Sequence, residues 1–313
     1  MKRRHFLLGL GALCVRGSAR ASSNWSALQA YNRQQGGVSL LVMQNGRVIY
    51  EDGGDRAYEL ASGTKSFWGT LAVTLDLDLD APLGGVLTEW RGDARAQITL
   101  RQLLSLTSGI PGGSIGRPPT FAAALQVPQT FPAGSRFQYG PAPYQCFGSF
   151  LRRKFQTDPL QLLSTHLGVE YQDWKRGRDG EIHLPSGAKL TARSWANFGL
   201  WVLKNQQRLS ACFQGTSANP AYGLTWWLKK PVSSSNTLQM RKAMGQIAEL
   251  GNDPTLPEDI VMAAGAGDQR LYLIPSLNLV IVRQADRILG RMWSHSTNFS
   301  DRQFLSTALK SLQ

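Results

Sequence analysis

The sequence predicts an α/β fold of the α+β kind: one antiparallel sheet built from both ends of the chain, flanked by terminal helices, with an inserted helical lobe. Three observations predict it. β-rich runs cluster near the start and again in the last third of the 313 residues. Between them the pattern is helical, punctuated by Gly/Pro loops. Amphipathic helical spacing recurs at the two ends of the folded part.

Taken in order, "NWSALQAYNRQQ" has the apolar spacing of a helix. "VSLLVMQ" and "RVIYED" read as two strands joined at Asn45-Gly46, a strong hairpin cue. From Ser62, the residues Trp68, Leu71, Ala72 and Leu75 form one helical stripe. "LRQLLSL", "QCFGSFLRRKF", "DPLQLLSTHL" and "TARSWANFGLWVLKN" are the helical pieces of the middle. Strand character returns in "YGLTWWLKK", "DIVMAAG", "QRLYLIP" and "NLVIVRQ", and "DRQFLSTALKSL" closes the chain as a helix. The expected division is a single domain over 22–313. Its sheet-bearing lobe takes about 22–61 and 217–313, and its helical lobe about 62–216.

Hydrophobic residues make up 42% and charged residues 18%, an ordinary globular composition that excludes disordered and fibrous classes. The formal charge is +13, but Lys2, Arg3, Arg4, Arg16 and Arg20 lie in the first 21 residues with no acid among them; without them it is +8. No basic helix is interleaved with aromatics and no zinc-knuckle spacing occurs, so nucleic acid is not an expected partner. Basic "MKRRH", apolar "FLLGLGALCV" and "RGSARA" ending in Ala19-Arg20-Ala21 read as an export signal over 1–21, cleaved before Ser22. The apolar run is too short for a stable membrane anchor. Arg3-Arg4-His5-Phe6-Leu7 is similar to a twin-arginine signal, so a periplasmic or secreted protein is expected.

Beyond the signal only Cys146 and Cys212 remain; they could pair or stay as buried thiols. His166, His183 and His295 have no ligand-like spacing, and neither metal nor cofactor is expected. Asp76, Asp78 and Asp80 suggest a calcium loop, but Ala81 and Leu87 stand where that loop needs Gly and Glu.

Three short motifs compete for a catalytic serine. Gly112-Gly113-Ser114-Ile115-Gly116 matches the G-x-S-x-G elbow, yet prolines on both sides deny it the required strand and helix. Ser186-Gly187-Ala188-Lys189 is a Ser-x-x-Lys match in a polar loop. Ser62-Gly63-Thr64-Lys65 is the same match at the mouth of an apolar helix, where Lys65 can hang over the Ser62 hydroxyl. A half-buried lysine there loses proton affinity and becomes a base near neutral pH. From this stretch alone, Ser62 as a helix N-cap with a solvated Lys65 remains an equal alternative.

"ITLRQLLSLTSGIP" and "FPAGSRFQYGPAPYQCFGSFL", with "TKSF", "LDLDAPL" and "YLIPSLNLVIV", break the tie. In that order they resemble the serine β-lactamase-like family, which includes class C β-lactamases, D-alanyl-D-alanine carboxypeptidases and related esterases and amidases. The resemblance covers most of the chain beyond the signal. It implies the β-lactamase/transpeptidase-like fold, with Ser62 as acylated nucleophile, Lys65 as its motif lysine and Tyr139 as proton shuttle. The third motif, Lys/His-x-Gly, falls in "MAAGAGDQRLYLIP" as Ala263-Ala264-Gly265 or Gly265-Ala266-Gly267, with an oxyanion N–H close to Ala266. Neither register supplies the cation, which Arg270 could replace. Pro141 stands where the family has Asn, and Leu106 where it often has His.

The expected function is therefore a periplasmic serine hydrolase that cleaves an ester or amide through an acyl-enzyme. Its partner is a small-molecule or peptide substrate, with peptidoglycan-derived peptides among the candidates. The alternatives are a catalytically impaired homologue that binds peptidoglycan or a protein, and an α/β-hydrolase using Ser114.

Overall fold

The computed structural model describes residues 24–232, 247–286, 288 and 298–313; the expected export signal lies outside them. Helix α1 (Ser26–Gln34) leads into strands β1 (Gly37–Gln44) and β2 (Arg47–Asp52). Asn45 and Gly46 both take positive φ, 51° and 75°, the geometry of a two-residue hairpin turn whose twist matches its strands. Near the other end come β6 (Trp227–Leu228), β7 (Val261–Gly265), β8 (Gln269–Ile274) and β9 (Leu279–Ala285), followed by α9 (Asp301–Lys310). The sheet order is β2-β1-β9-β8-β7-β6, with every pair antiparallel. The first strands of the chain thus pair with the last, as the two β-rich ends predict.

Between β2 and β6 run β3 (Tyr58–Glu59), α2 (Ser66–Thr74), α3 (Leu100–Leu104), α4 (Phe121–Leu125), α5 (Ala142–Phe155), α6 (Pro159–Leu167), β4 (Asp173–Trp174), β5 (Ala188–Leu190) and α7 (Ala192–Lys204). A short α8 (Ile247–Leu250) precedes β7. Several of these helices carry the caps that fix their ends. Thr99 and Gln102 form a capping box on α3, and Asp158 caps α6 with Pro159 at its first turn.

Period two along β8 sends successive side chains to opposite faces. Leu271 and Leu273 face α7, where a methyl added at Gly199 would come within 2.9 Å of Leu271 and 3.0 Å of Leu273. Arg270 and Tyr272 face the other way and bond to Asp301 of α9. The sheet therefore lies between α7 on one face and α1 with α9 on the other. This corrects the expected lobe boundary: α7, assigned above to the helical lobe, covers the sheet because its apolar stripe matches the sheet's.

Two other expectations are revised. "YGLTWWLKK" yields only the two-residue β6, because Thr225 adopts a left-handed φ of 71° and turns toward α2. There Gly69 N donates to Thr225 Oγ1 at 3.2 Å. The helix expected from Ser62 starts at Ser66, preceded by a 3-10 turn over Ala61–Lys65. Far from showing one apolar stripe, α2 is buried on every side from Ser66 to Ala72, as befits a helix at the centre of a large core.

Candidate functional site

The turn that carries Ser62 is squeezed from two directions. Gly265, at the end of β7, lies so close that a methyl there would sit 2.0 Å from the Leu60 carbonyl oxygen. On another side, a methyl at Gly63 would come within 2.8 Å of the Trp195 ring. Under that packing the backbone winds tightly: Gly63 N donates to Leu60 O at 3.0 Å, and Ala61 is left-handed at φ 46°. Ser62 is consequently not a helix N-cap, and the N-cap alternative falls. In a 3-10 turn, residues i and i+3 eclipse, so Lys65 stands directly over Ser62.

Lys65 Nζ lies 2.9 Å from Ser62 Oγ and donates to the Pro185 carbonyl at 3.0 Å. The rings of Tyr139 and Tyr144 flank it, with centroids 4.8 Å and 5.4 Å from Nζ. Only 4% of the side chain's residue surface is exposed, well beyond the half-burial expected. No carboxylate bonds to the amine, and desolvation lowers its pKa from 10.5 to about 7. Ser62 itself is half-buried, so its hydroxyl stays within reach of a ligand.

Tyr139 is half-buried, with its hydroxyl buried. Burial raises the phenol's proton affinity, an effect eased by the nearby Ser62 hydroxyl. The two oxygens do not meet hydrogen-bond geometry, and among the described residues the Tyr139 hydroxyl has no hydrogen-bond partner. Its ring is held by stacking on Trp227 at 5.9 Å and by the edge of Tyr222 at 6.3 Å. Tyr144 sits deeper and shares a 2.8 Å hydrogen bond with Tyr222.

The third predicted segment also arrives. Gly265 ends β7 against the Ser62 turn, while Ala266 and Gly267 lie in the turn that follows. Ala263-Ala264-Gly265 is therefore the register that runs along the strand. Arg270 does not replace the missing cation. It is 2% exposed, its Nε and Nη2 bond to the Asp301 carboxylate at 2.7 and 3.1 Å, and its Nη1 donates to Gly265 O at 3.1 Å. Turning the guanidinium toward the site would break this buried pair and leave the Asp301 carboxylate uncompensated.

Sequence reasoning passed over several residues that line the Ser62 cleft. Ile115, Gly116 and Pro118, from the discarded G-x-S-x-G loop, form one wall, and Pro185 and Ser186, from the second Ser-x-x-Lys match, form another. Ser114 sits exposed in an irregular loop, which removes the α/β-hydrolase alternative. The 182–187 turn stays beside Ser62 because β3 pairs with β5, Leu60 N donates to Ala188 O at 2.9 Å, and Ala188 N donates to Thr64 Oγ1 at 3.3 Å. A backbone carbonyl such as that of Pro185 leaves no mark in a sequence, though "LPSG" does mark a turn.

Other candidates are set aside. Asp80 pairs with Arg101 and Asp76 with Arg208, and among the described residues no metal-ligating cluster occurs. Cys146 and Cys212 are free and buried. A larger apolar cavity of about 240 Å³ lies between α7, β6 and β7, lined by Phe213, Leu228 and Lys229 among others, without a serine, cysteine or histidine. Among the described residues no helix is long and apolar enough to cross a membrane.

An antiparallel sheet built from both chain ends, with a Ser-x-x-Lys turn at its junction with a helical lobe, defines a class of serine hydrolase fold. The profile of the beta-lactamase family matches residues 23–286, and the chain belongs to that family. Solved structures share the fold at low identity. EstCE1, described as a hydrolase with promiscuous acyltransferase activity, aligns with TM-score 0.68 and 15% identity over 95% of this chain and 100% of that one. A class C beta-lactamase aligns with TM-score 0.67 and 17% identity over 96% and 98%. The class C beta-lactamase from Rhodobacter sphaeroides gives 0.63 and 16% over 94% and 99%. No curated protein matches the chain significantly.

Proposed function

We propose that this protein is an exported serine hydrolase that cleaves uncharged esters or short amides through an acyl-enzyme on Ser62. The observation that carries the reading is the 2.9 Å contact between Ser62 Oγ and a buried, carboxylate-free Lys65 amine whose pKa lies at about 7. Neutral Lys65 takes the Ser62 proton as Oγ attacks the carbonyl carbon. N–H groups of Ser62 and Ala266 hold the oxyanion. Collapse breaks the bond to the leaving group, which receives a proton from Lys65 through the Tyr139 hydroxyl. Water then attacks the acyl-enzyme, gives a proton to Lys65 and releases the acid, and Ser62 takes back its proton.

The substrate class follows from charge. Among the described residues that line the Ser62 cleft, side chains other than those of Ser62, Lys65, Tyr139 and Ser186 are apolar or absent, and Arg270 is committed to Asp301. With no cation beyond Lys65 among the described residues of the cleft, β-lactams and D-alanyl peptides lose an anchor that neutral esters never need. Pro141 and the missing cation also support a second reading, a catalytically impaired homologue that binds peptidoglycan or a protein. Export and a periplasmic location rest on the reading of residues 1–21.

Intact-mass spectrometry after a fluorophosphonate and, separately, a penicillin tests the proposal. The expected result is a fluorophosphonate adduct on wild type, absent in Ser62→Ala, with little penicilloyl adduct. The labelling rate should fall about tenfold per pH unit below about 7 and level off above it, because Lys65 must be neutral. A folded wild type that takes neither probe moves the binding reading ahead.

A further inference from the structure

Lys65 loses one partner to Pro141, whose side chain neither donates nor accepts. The amine nonetheless has a second acceptor, the Pro185 carbonyl at 3.0 Å, on a turn remote in sequence. That turn is clamped from α5. Leu184 N donates to Gln145 Oε1 at 3.0 Å, while Gln145 Nε2 donates to Pro119 O at 2.9 Å and to Ile182 O at 3.4 Å. Gln145 is 1% exposed and sits four residues after Pro141, one turn deeper on the same helix face. Trp68 Nε1 donates to Leu184 O at 2.6 Å, and Trp174 Nε1 to His183 O at 3.1 Å.

We propose that Gln145 is a positioning residue: by clamping the backbone of 182–185 it sets the Pro185 carbonyl as the second acceptor of Lys65. An amide lost at position 141 is thus replaced by one acting through the main chain. The inference rests on the serine-hydrolase reading above.

The physical consequence is orientation. A neutral amine has two N–H groups and one lone pair. With one N–H held by Pro185 O and aromatic faces on its flanks, the lone pair is directed at Ser62 Oγ. The same carbonyl favours the protonated amine and offsets part of the effect of burial. Among the described residues, the titratable groups facing Nζ are the phenols of Tyr139 and Tyr144. On the 182–187 turn, the His183 pKa is held below its usual value by burial first and Lys175 second, against a smaller opposing effect of Asp179, and from β8 Arg270 is paired with Asp301. Withdrawing the carbonyl should therefore lower the proton affinity of Lys65 further and let the amine rotate away.

The test is the pH dependence of fluorophosphonate labelling in the full-length protein, for wild type, Gln145→Met and Gln145→Asn. Gln145→Met should label at least about tenfold more slowly at pH 8, with its acid limb at least about half a pH unit below that of wild type. Gln145→Asn, whose amide is too short to span the same contacts, should shift the limb in the same direction. An unmoved limb in a folded variant overturns the proposal whatever the rate, since a merely structural loss scales labelling without shifting the limb. Should Gln145→Met fail to fold, Gln145→Asn decides by the same criterion. An unlabelled wild type overturns the serine-hydrolase reading instead.

Discussion

Burial strips the Lys65 amine of water, and no carboxylate compensates. Its pKa falls from 10.5 to about 7 in the folded state. Below pH 7 both folded and unfolded chains carry the charge, and the full burial penalty is felt. Between about 7 and 10.5 the unfolded chain binds the extra proton, so stability from this group rises with pH. At about 1.4 kcal/mol per unit the penalty is on the order of 5 kcal/mol at low pH. Lys65→Met should therefore melt well above wild type at pH 6, with the gap narrowing toward pH 10; thermal melts at both values check it. A gap independent of pH would mean that the lysine is not titrating in the folded protein. That Ser62, Lys65 and Tyr139 would meet was legible in the sequence, the first two from their Ser-x-x-Lys spacing and the third from its family motif, and the fold does bring the three side chains together. The Pro185 carbonyl was not legible, since any residue supplies a carbonyl and only the fold aims it. Nothing in the polar loop around Ser186 marks its place on the cleft wall, which long-range packing creates.

At the scale of elements, the meeting of β7 with the Ser62 turn sets the geometry. A methyl at Gly265 would sit 2.0 Å from a backbone oxygen, which cannot swing aside. Gly199 offers a contrast, because its nearest neighbours are the ends of Leu and Val side chains at 2.9 to 3.0 Å. Gly199→Ala should lose about 1–3 kcal/mol by overpacking and keep its acylation rate. Gly265→Ala should push β7 from the turn and lose about a hundredfold in labelling rate, given what a 1 Å displacement of reacting groups does. Equal rates in the two variants would show that the approach of β7 does not govern reactivity. The long strands, and helices such as α5 and α7, were legible because period and caps agree over many residues. The 3-10 turn at 61–65 and the three-stranded sheet β3-β5-β4 were not: two or three residues carry no period, and long-range packing creates both.

Across the whole molecule, pairing between the chain's two ends was legible because each end is β-rich, but the pattern did not contain the ion pair that ties the last helix to the sheet. Asp301 is fully buried and accepts from Arg270 and from the Tyr272 hydroxyl. Arg270 in turn holds the Gly265 carbonyl, so the C-terminal helix is connected to the strand beside Ser62 through two side chains. Asp301→Ala leaves the buried guanidinium only the longer carboxylate contact to Asp268, 3.9 Å from Nη2, and breaking the near side of such a buried pair typically destabilises by about 3–5 kcal/mol. For a chain of this size that is a fall in Tm of roughly 10 °C. Replacing all three partners, as Arg270→Met, Tyr272→Phe and Asp301→Leu, removes the stranded charge and the unpaired phenol together, and should recover most of the loss. If Arg270 serves structure alone, the triple variant also keeps Ser62 labelling within a few-fold of wild type while its Tm recovers. Recovery of Tm with loss of labelling would instead give Arg270 a part in the chemistry that its contacts with Asp301 do not suggest.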